Sequence, residues 1–247
     1  MSFFINHIQD PDYGDYYELA QPGYIAIIVL MLLAIAVAAL IVGNKQKAEN
    51  FSAKTLAFAG ISLALAFGTS FLKIEMPMGG SVTLFSMFFI TFIGYVYGIN
   101  VGLIVAFAFS LLQFIQSGGT YFLTPFQTCC DYFFAFTALG ISGFWYKKKN
   151  GLLIGYIVAC LARGLFHTIG GYMYWMDYMP DYFPKALTNV YSICYNYSYI
   201  LAEMLLTIIV IHIPPVKKAI TRIVNMAQSD EAISFKKDSL KKTSGKK

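Results

Sequence analysis

Four ionisable side chains lie inside stretches of the chain that are otherwise apolar: Asp131, Arg163, His167 and Glu203, with Asn196 as a buried-type amide among them. A charge or an imidazole in such a stretch is costly unless it faces a partner, a cavity or the protein interior. Counted along helices rising about 1.5 Å per residue, Asp131, His167 and Asn196 come to one level, roughly 8–14 Å in from the same ends of three different helices. A carboxylate, an imidazole and an amide at one depth describe a polar pocket open to one side. Tyrosines and tryptophan crowd that end as well, among them Tyr121, Tyr132, Trp175, Tyr191 and Tyr195. Aromatic faces beside a carboxylate suit a small cationic heteroaromatic ligand, each cation–π contact contributing about 0.5–2 kcal/mol. Asp131 and His167 could also serve as an acid–base pair, which makes a membrane-embedded enzyme the alternative of another class. Arg163 lies one turn from His167, and Glu203 seven residues from Asn196. These spacings predict an Arg163–Glu203 ion pair near mid-depth that fixes helix packing.

The elements that carry these residues follow from composition. The chain has 247 residues, 57% hydrophobic, 17% aromatic and only 13% charged, and its mean hydropathy is +0.60. About 25% charged is usual for soluble domains, so a soluble enzyme, a disordered chain and a disulfide-stapled secreted domain are excluded. Apolar runs long enough for membrane helices cover 24–43, 54–72, 81–98, 101–115, 126–146, 152–174 and 187–213. The expected fold class is therefore an all-α integral membrane protein with seven spans. An acidic tail (1–23) precedes the first span (24–43), a polar linker (44–52) follows it, and a six-helix unit (53–215) holds every informative residue. The last segment, 216–247, is rich in Lys and Ser and reads as a disordered tail. Of 18 Lys and Arg, those at 45, 47, 54, 147–149 and beyond 214 fall on one side, while Asp10, Asp12, Asp15, Glu18, Asp177 and Asp181 fall on the other. The positive-inside rule then sets the N-terminus outside and the C-terminus in the cytoplasm. The basic residues form a tail rather than a folded patch, so no nucleic-acid partner is expected.

Other motifs are fewer. Cys129, Cys130, Cys160 and Cys194 show no metal-ligand spacing and read as small membrane-core residues. No phosphate-binding loop occurs, so ATP hydrolysis would have to come from a partner. The loop between the second and third spans holds Met78, Gly79 and Gly80, where adjacent glycines give the freedom a lid over the pocket needs. On the second span, Ala57, Gly60 and Ala64 recur at small-residue spacing, which permits close approach of another helix.

Four segments together resemble a known family. MPMGGSVTL (76–84), GTYFLTPFQTCCDY (119–132), ARGLFHTIGGYMYW (162–175) and YSICYN (191–196) are similar, in order and spacing, to the thiamine-binding substrate component of energy-coupling-factor transporters, the ThiT family. The resemblance covers 53–215 and leaves the first span as an addition. It implies a six-helix core and high-affinity thiamine binding from the outer face of a bacterial cell membrane. Uptake would be powered by a separate transmembrane scaffold with two ATPase subunits, without catalysis and without a cofactor. Carried onto this sequence, it implies a pocket of Asp131, Tyr132, His167, Gly171, Trp175, Tyr191, Asn196 and the loop residue Tyr121. It also implies scaffold contact through Ala57, Gly60 and Ala64. Two residues depart from the pattern: Asp131 stands where Glu is usual, and Phe89 where Pro is usual. The shorter carboxylate keeps a thiamine precursor or analogue open as the alternative ligand.

Overall fold

The computed structural model describes residues 3–10, 14–23, 25–26, 29, 52–76, 80–118 and 123–244. The expected first span and linker fall outside these residues except for Ile25, Ala26, Val29 and Ser52. Within the acidic N-terminal segment, β1 (Ile5–Asp10) pairs antiparallel with β2 (Gly14–Leu19), Ile5 opposite Leu19 and Asp10 opposite Gly14. Strands thus join an architecture expected to be wholly helical.

Each of the six expected core spans corresponds to a helix. The first is α1 (Ala53–Ser70), opened by Ser52, whose hydroxyl accepts from the Thr55 N–H. A small hairpin follows, β3 (Lys73–Glu75) paired with β4 (Ser81–Thr83). Residues 81–83 had been expected to open the next span; they are strand, and α2 begins only at Ser86 and runs to Tyr97. Gly98 takes a φ of 89°, a left-handed conformation open to glycine, so that α3 (Ile99–Gln116) starts at once. The rod α4 (residues 125–145) is irregular: an α-turn (Pro125–Thr128), a π-helical stretch (Cys129–Phe134), a further α-turn (Ala135–Thr137) and a 3-10 stretch (Ala138–Trp145). Then come α5 (Gly151–Tyr174), two short 3-10 turns, and α6 (Tyr191–His212).

Four segments, 53–70, 99–116, 151–174 and 185–212, are long and apolar enough to cross a bilayer. With 12 residues, α2 is shorter, and ten of them are buried by its neighbours. Its crossing with α3 and α4 is set by backbone contact. A Cβ placed on Gly102 would come within 2.7 Å of the Gly140 carbonyl oxygen, and one on Gly140 within 2.7 Å of the Leu103 Cα. Around this crossing Phe109, Ile90, Ile93, Val96, Leu139 and Tyr156 form the core, each at 1% exposure or less. Of the cysteines, Cys130 and Cys160 are buried and Cys129 is half-buried, whereas Cys194 is exposed on α6.

The segment expected to be a disordered tail is instead a helix, α7 (Pro214–Ser244). Ile213 is extended, as a residue before proline must be, and the chain turns there. Ala227 is buried, Ile220 and Val224 pack against the core, Gln228 Nε2 donates to the Val96 carbonyl at 3.1 Å, and Lys54 Nζ donates to Ser229 Oγ at 2.8 Å. The apolar residues spaced three and four apart supply a packing stripe that the abundant lysines of this segment obscure.

The glycine crossing yields a direct expectation. Gly102→Val should destabilise the protein by about 1–3 kcal/mol or more, because its Cβ meets backbone that cannot move aside. Gly60→Ala, where a Cβ meets nothing within 4 Å, should cost nothing. Thermal unfolding of both variants in detergent checks the contrast.

Candidate ligand-binding site

The irregular winding of α4 presents its carboxylate to α5. Thr124 opens the rod, accepting from the Gln127 N–H at 3.1 Å, and Pro125 occupies the first turn. One turn on, Gln127 Nε2 donates to Asp131 Oδ2 at 2.6 Å. The π-helical stretch, with its wider i→i+5 turns, starts beside this pair and carries Asp131. From the far end of α5, Trp175 Nε1 donates to the same oxygen at 2.9 Å. On the other side, His167 Nδ1 lies 3.9 Å from Oδ1. Gly170 makes this approach possible, since a Cβ there would sit 2.6 Å from Asp131 Oδ1.

The imidazole is oriented from both sides. Arg163 Nε donates to His167 Nε2 at 3.3 Å, so the remaining ring proton belongs on Nδ1, facing Asp131. Phe136 and Tyr199 meet the ring edge-on, each with centroids 6.1 Å away. The Arg163 guanidinium itself lies over the Phe136 ring at 4.4 Å. On α6, Asn196 Nδ2 donates to the Ser192 carbonyl at 2.9 Å, and its Oδ1 accepts from the Tyr199 hydroxyl at 2.7 Å. Gly171 lets α6 close against α5, because a Cβ there would overlap Ser192 Oγ, which donates to the Thr168 carbonyl at 3.0 Å.

Between these elements is a cavity of about 610 Å³. Asp131, Tyr132, His167, Gly171, Trp175, Tyr191 and Asn196, all singled out from the sequence, line it together. Tyr121 lies outside the described residues, as do Met78 and Gly79 of the loop. Gly80 does line the cavity, and its N–H donates to the Tyr195 hydroxyl at 2.9 Å, tying the β3–β4 hairpin to α6. Tyr191 and Tyr195 stack with centroids 5.9 Å apart. Sequence reasoning passed over Gln127, Ser192 and Tyr199, and the amides Gln113 and Gln116 that line the α3 side. The signal for Gln127 was its i, i+4 relation to Asp131; for Ser192 and Tyr199 it was their shared face with Asn196.

The expected Arg163–Glu203 pair does not form. Glu203, 1% exposed, accepts from the Thr83 hydroxyl at 2.5 Å, the Ser86 hydroxyl at 3.3 Å and the Met87 N–H at 3.1 Å. It therefore caps the N-terminus of α2 from another helix, where Phe85, at a φ of 64°, offers no side-chain cap of its own. Arg163 is drawn away by His167 and the Phe136 face. Glu203→Ala should strip the Met87 N–H of its acceptor and leave the Thr83 and Ser86 hydroxyls only each other, at a cost of about 2–4 kcal/mol, with Glu203→Gln losing less, since it keeps an acceptor oxygen. Thermal midpoints of the two variants test this ordering.

Three comparisons bear on this arrangement. The profile of the family described as thiamine transporter protein matches residues 56–223. The thiamine transporter ThiT of Bacillus subtilis (strain 168) is 28% identical over 181 residues, covering 68% of this chain and 90% of that protein. A solved structure of ThiT from Listeria monocytogenes superposes with a TM-score of 0.53 at 22% identity, over 64% of this chain and 90% of that one, which is a likeness of fold. The matched region runs from the first turn of α1 through α6 and holds every cavity residue named above, and the chain belongs to the thiamine transporter protein family, multi-pass membrane carriers of bacteria and not enzymes.

Proposed function

We propose that the cavity binds thiamine with high affinity from the outer face of the membrane, and that the chain is the substrate-binding component of an energy-coupling-factor transporter. The observation that carries this reading is Asp131, a carboxylate held by Gln127 and Trp175 and faced by His167, at the wall of a cavity of about 610 Å³ with aromatic sides. That volume suits a small ligand enclosed on most sides. Asp131 offsets the thiazolium charge or accepts from the aminopyrimidine. Trp175 and His167 flank the rings, Tyr132, Tyr191 and Asn196 meet heteroatoms or the hydroxyethyl group, and Gly171 leaves room for the ligand beside α5. The resemblance also assigns Tyr121, Met78 and Gly79, which lie outside the described residues, to this site, beside Gly80, which lines the cavity.

The carboxylate is one methylene shorter than the Glu of the family pattern. Gln127 and Trp175 both reach it with hydrogen bonds below 3 Å, so the shorter side chain is still engaged by its neighbours. The same shortening favours, as a second reading, a thiamine precursor or analogue as ligand. Competition by the separate pyrimidine and thiazole fragments distinguishes the two.

Movement of the vitamin requires a partner. Ala57, Gly60 and Ala64 are exposed on one face of α1, flanked by Leu56 and Ile61 at 66% and 62% exposure. Small residues between exposed apolar ones suit close packing of another transmembrane helix. We assign this face to the scaffold subunit, which would bring two ATPases; the chain itself needs no cofactor. The basic end of the bundle, with Lys147–Lys149 and α7, is placed in the cytoplasm.

Two measurements test these assignments. The chain has 2 Trp, Trp145 and Trp175, so quenching of intrinsic fluorescence during a thiamine titration should come mainly from Trp175 beside Asp131. Saturable quenching is expected at nanomolar thiamine, weakened by about 10–100-fold in Asp131→Ala, as loss of a charged hydrogen-bonding group implies. Quenching unchanged in that variant would remove Asp131 from the site. For the partner face, Ala57→Trp, Gly60→Trp or Ala64→Trp should abolish thiamine uptake by cells while leaving the titration unaltered; loss of binding in these variants would sink the scaffold assignment.

A further inference from the structure

The helix α7 begins inside the family match and runs on past its end at residue 223. Its sides differ in kind. At about 100° per residue, Val216, Ile220, Val224 and Ala227 share the side packed toward the bundle. A quarter-turn round, Ala219, Ile223 and Met226 form a second apolar strip left exposed among the described residues, with Ile223 at 38% and Met226 at 57% exposure. Beyond that strip come Lys218 and Arg222, one turn apart and both exposed. The contacts of α7 place it along the ends of α6, α2 and α1, through Val96 and Lys54, so it lies across the helix ends and does not continue the bundle. That is the end where Lys147, Lys148 and Lys149 also lie. From 214 onward the chain carries nine Lys and Arg against three acidic residues, Asp230, Glu231 and Asp238.

The geometry points to α7 as an interfacial helix that binds the anionic phospholipid of the leaflet at its end of the bundle. With the packed side held by the protein, the strip of Ala219, Ile223 and Met226 can enter the acyl boundary. Lys218 and Arg222 then stand at headgroup depth, pointing outward from the protein. The excess of positive charge selects an anionic headgroup, each Lys or Arg near such a surface adding to the attraction. An acidic protein surface would meet the same charge, and it is the occupant indicated if the unaltered protein does not prefer the anionic lipid. The assignment of that leaflet to the cytoplasmic side rests on the orientation proposed above; the lipid contact itself does not depend on what fills the cavity.

The test uses the full chain in detergent, titrated with phosphatidylglycerol or phosphatidylcholine and read by native mass spectrometry. Phosphatidylglycerol should be retained in preference to phosphatidylcholine, and raising the salt before analysis should strip it from the unaltered protein. K218Q/R222Q should lower phosphatidylglycerol affinity by at least about tenfold, as removal of two such charges implies. Its thermal midpoint should remain that of the parent, because both residues are exposed. K147Q/K148Q/K149Q, away from the apolar strip of α7, should lower the affinity less than K218Q/R222Q does. Equal retention of the two lipids by the unaltered protein would overturn the proposal, as would phosphatidylglycerol held undiminished by K218Q/R222Q or lost only from the Lys147–Lys149 variant. Thiamine quenching, measured on the same samples, reports separately on the cavity.

Discussion

Two carboxylates sit among apolar helices, and neither is neutralised by a direct bond to a cation. Asp131 takes hydrogen bonds from an amide and an indole; Glu203 takes them from two hydroxyls and a backbone N–H. A bilayer offers no water to satisfy a stray polar group, so each carboxylate must gather donors from whichever elements can reach it. Those demands bring specific pieces of chain together. Glu203 binds α6 to β4 and to the start of α2, and Asp131 binds α4 to the far end of α5. The cavity is the space enclosed between these two fastenings.

The two differ in what they leave available. Around Glu203 the carboxylate is fully enclosed and both its oxygens are engaged by donors, which is the condition of a structural clamp. Around Asp131 the carboxylate, His167 and Trp175 all border the cavity, so an entering ligand with a donor or a cation meets a group already oriented for it. Preorganisation of this kind lowers the cost of binding, since the side chains need no further ordering. The arrangement of Arg163 serves the same end. By donating to His167 and lying on Phe136, it fixes the imidazole with its Nδ1 proton toward Asp131.

Irregular backbone is concentrated where function needs it. The rod α4 passes through π-helical and 3-10 winding within 21 residues, from 125 to 145. The wide turns lie at the cavity and carry Asp131; the tight turns lie at the opposite end, where Gly140 meets Gly102. The first stretch re-aims a side chain, and the second narrows the rod so that α2 and α3 can approach it. The hairpin β3–β4 is similarly tied at both ends to α6, through Gly80 to Tyr195 and Thr83 to Glu203. The strand that borders the cavity is thus held to the helix that forms its wall.

By itself the sequence determined that the chain is a membrane protein, where its core helices run, and which side chains converge. Hydropathy and span length depend on local composition, and Asp131, His167 and Asn196 could be placed at one depth by counting residues from helix ends. The tertiary structure alone decided how those groups are partnered. Arg163 and Glu203 were compatible in depth, yet helix rotation turned them to different neighbours, a quantity that residue counting does not contain. Nor could counting foresee the π-helical stretch, which depends on how α4 meets α5, or that Gln127, one turn from Asp131, and Trp175 would converge on one oxygen. The C-terminal segment shows the same limit from the other direction. Its lysines speak of solvent, but Ile220, Val224 and Ala227 had a surface to pack on only once α6, α2 and α1 brought their ends together.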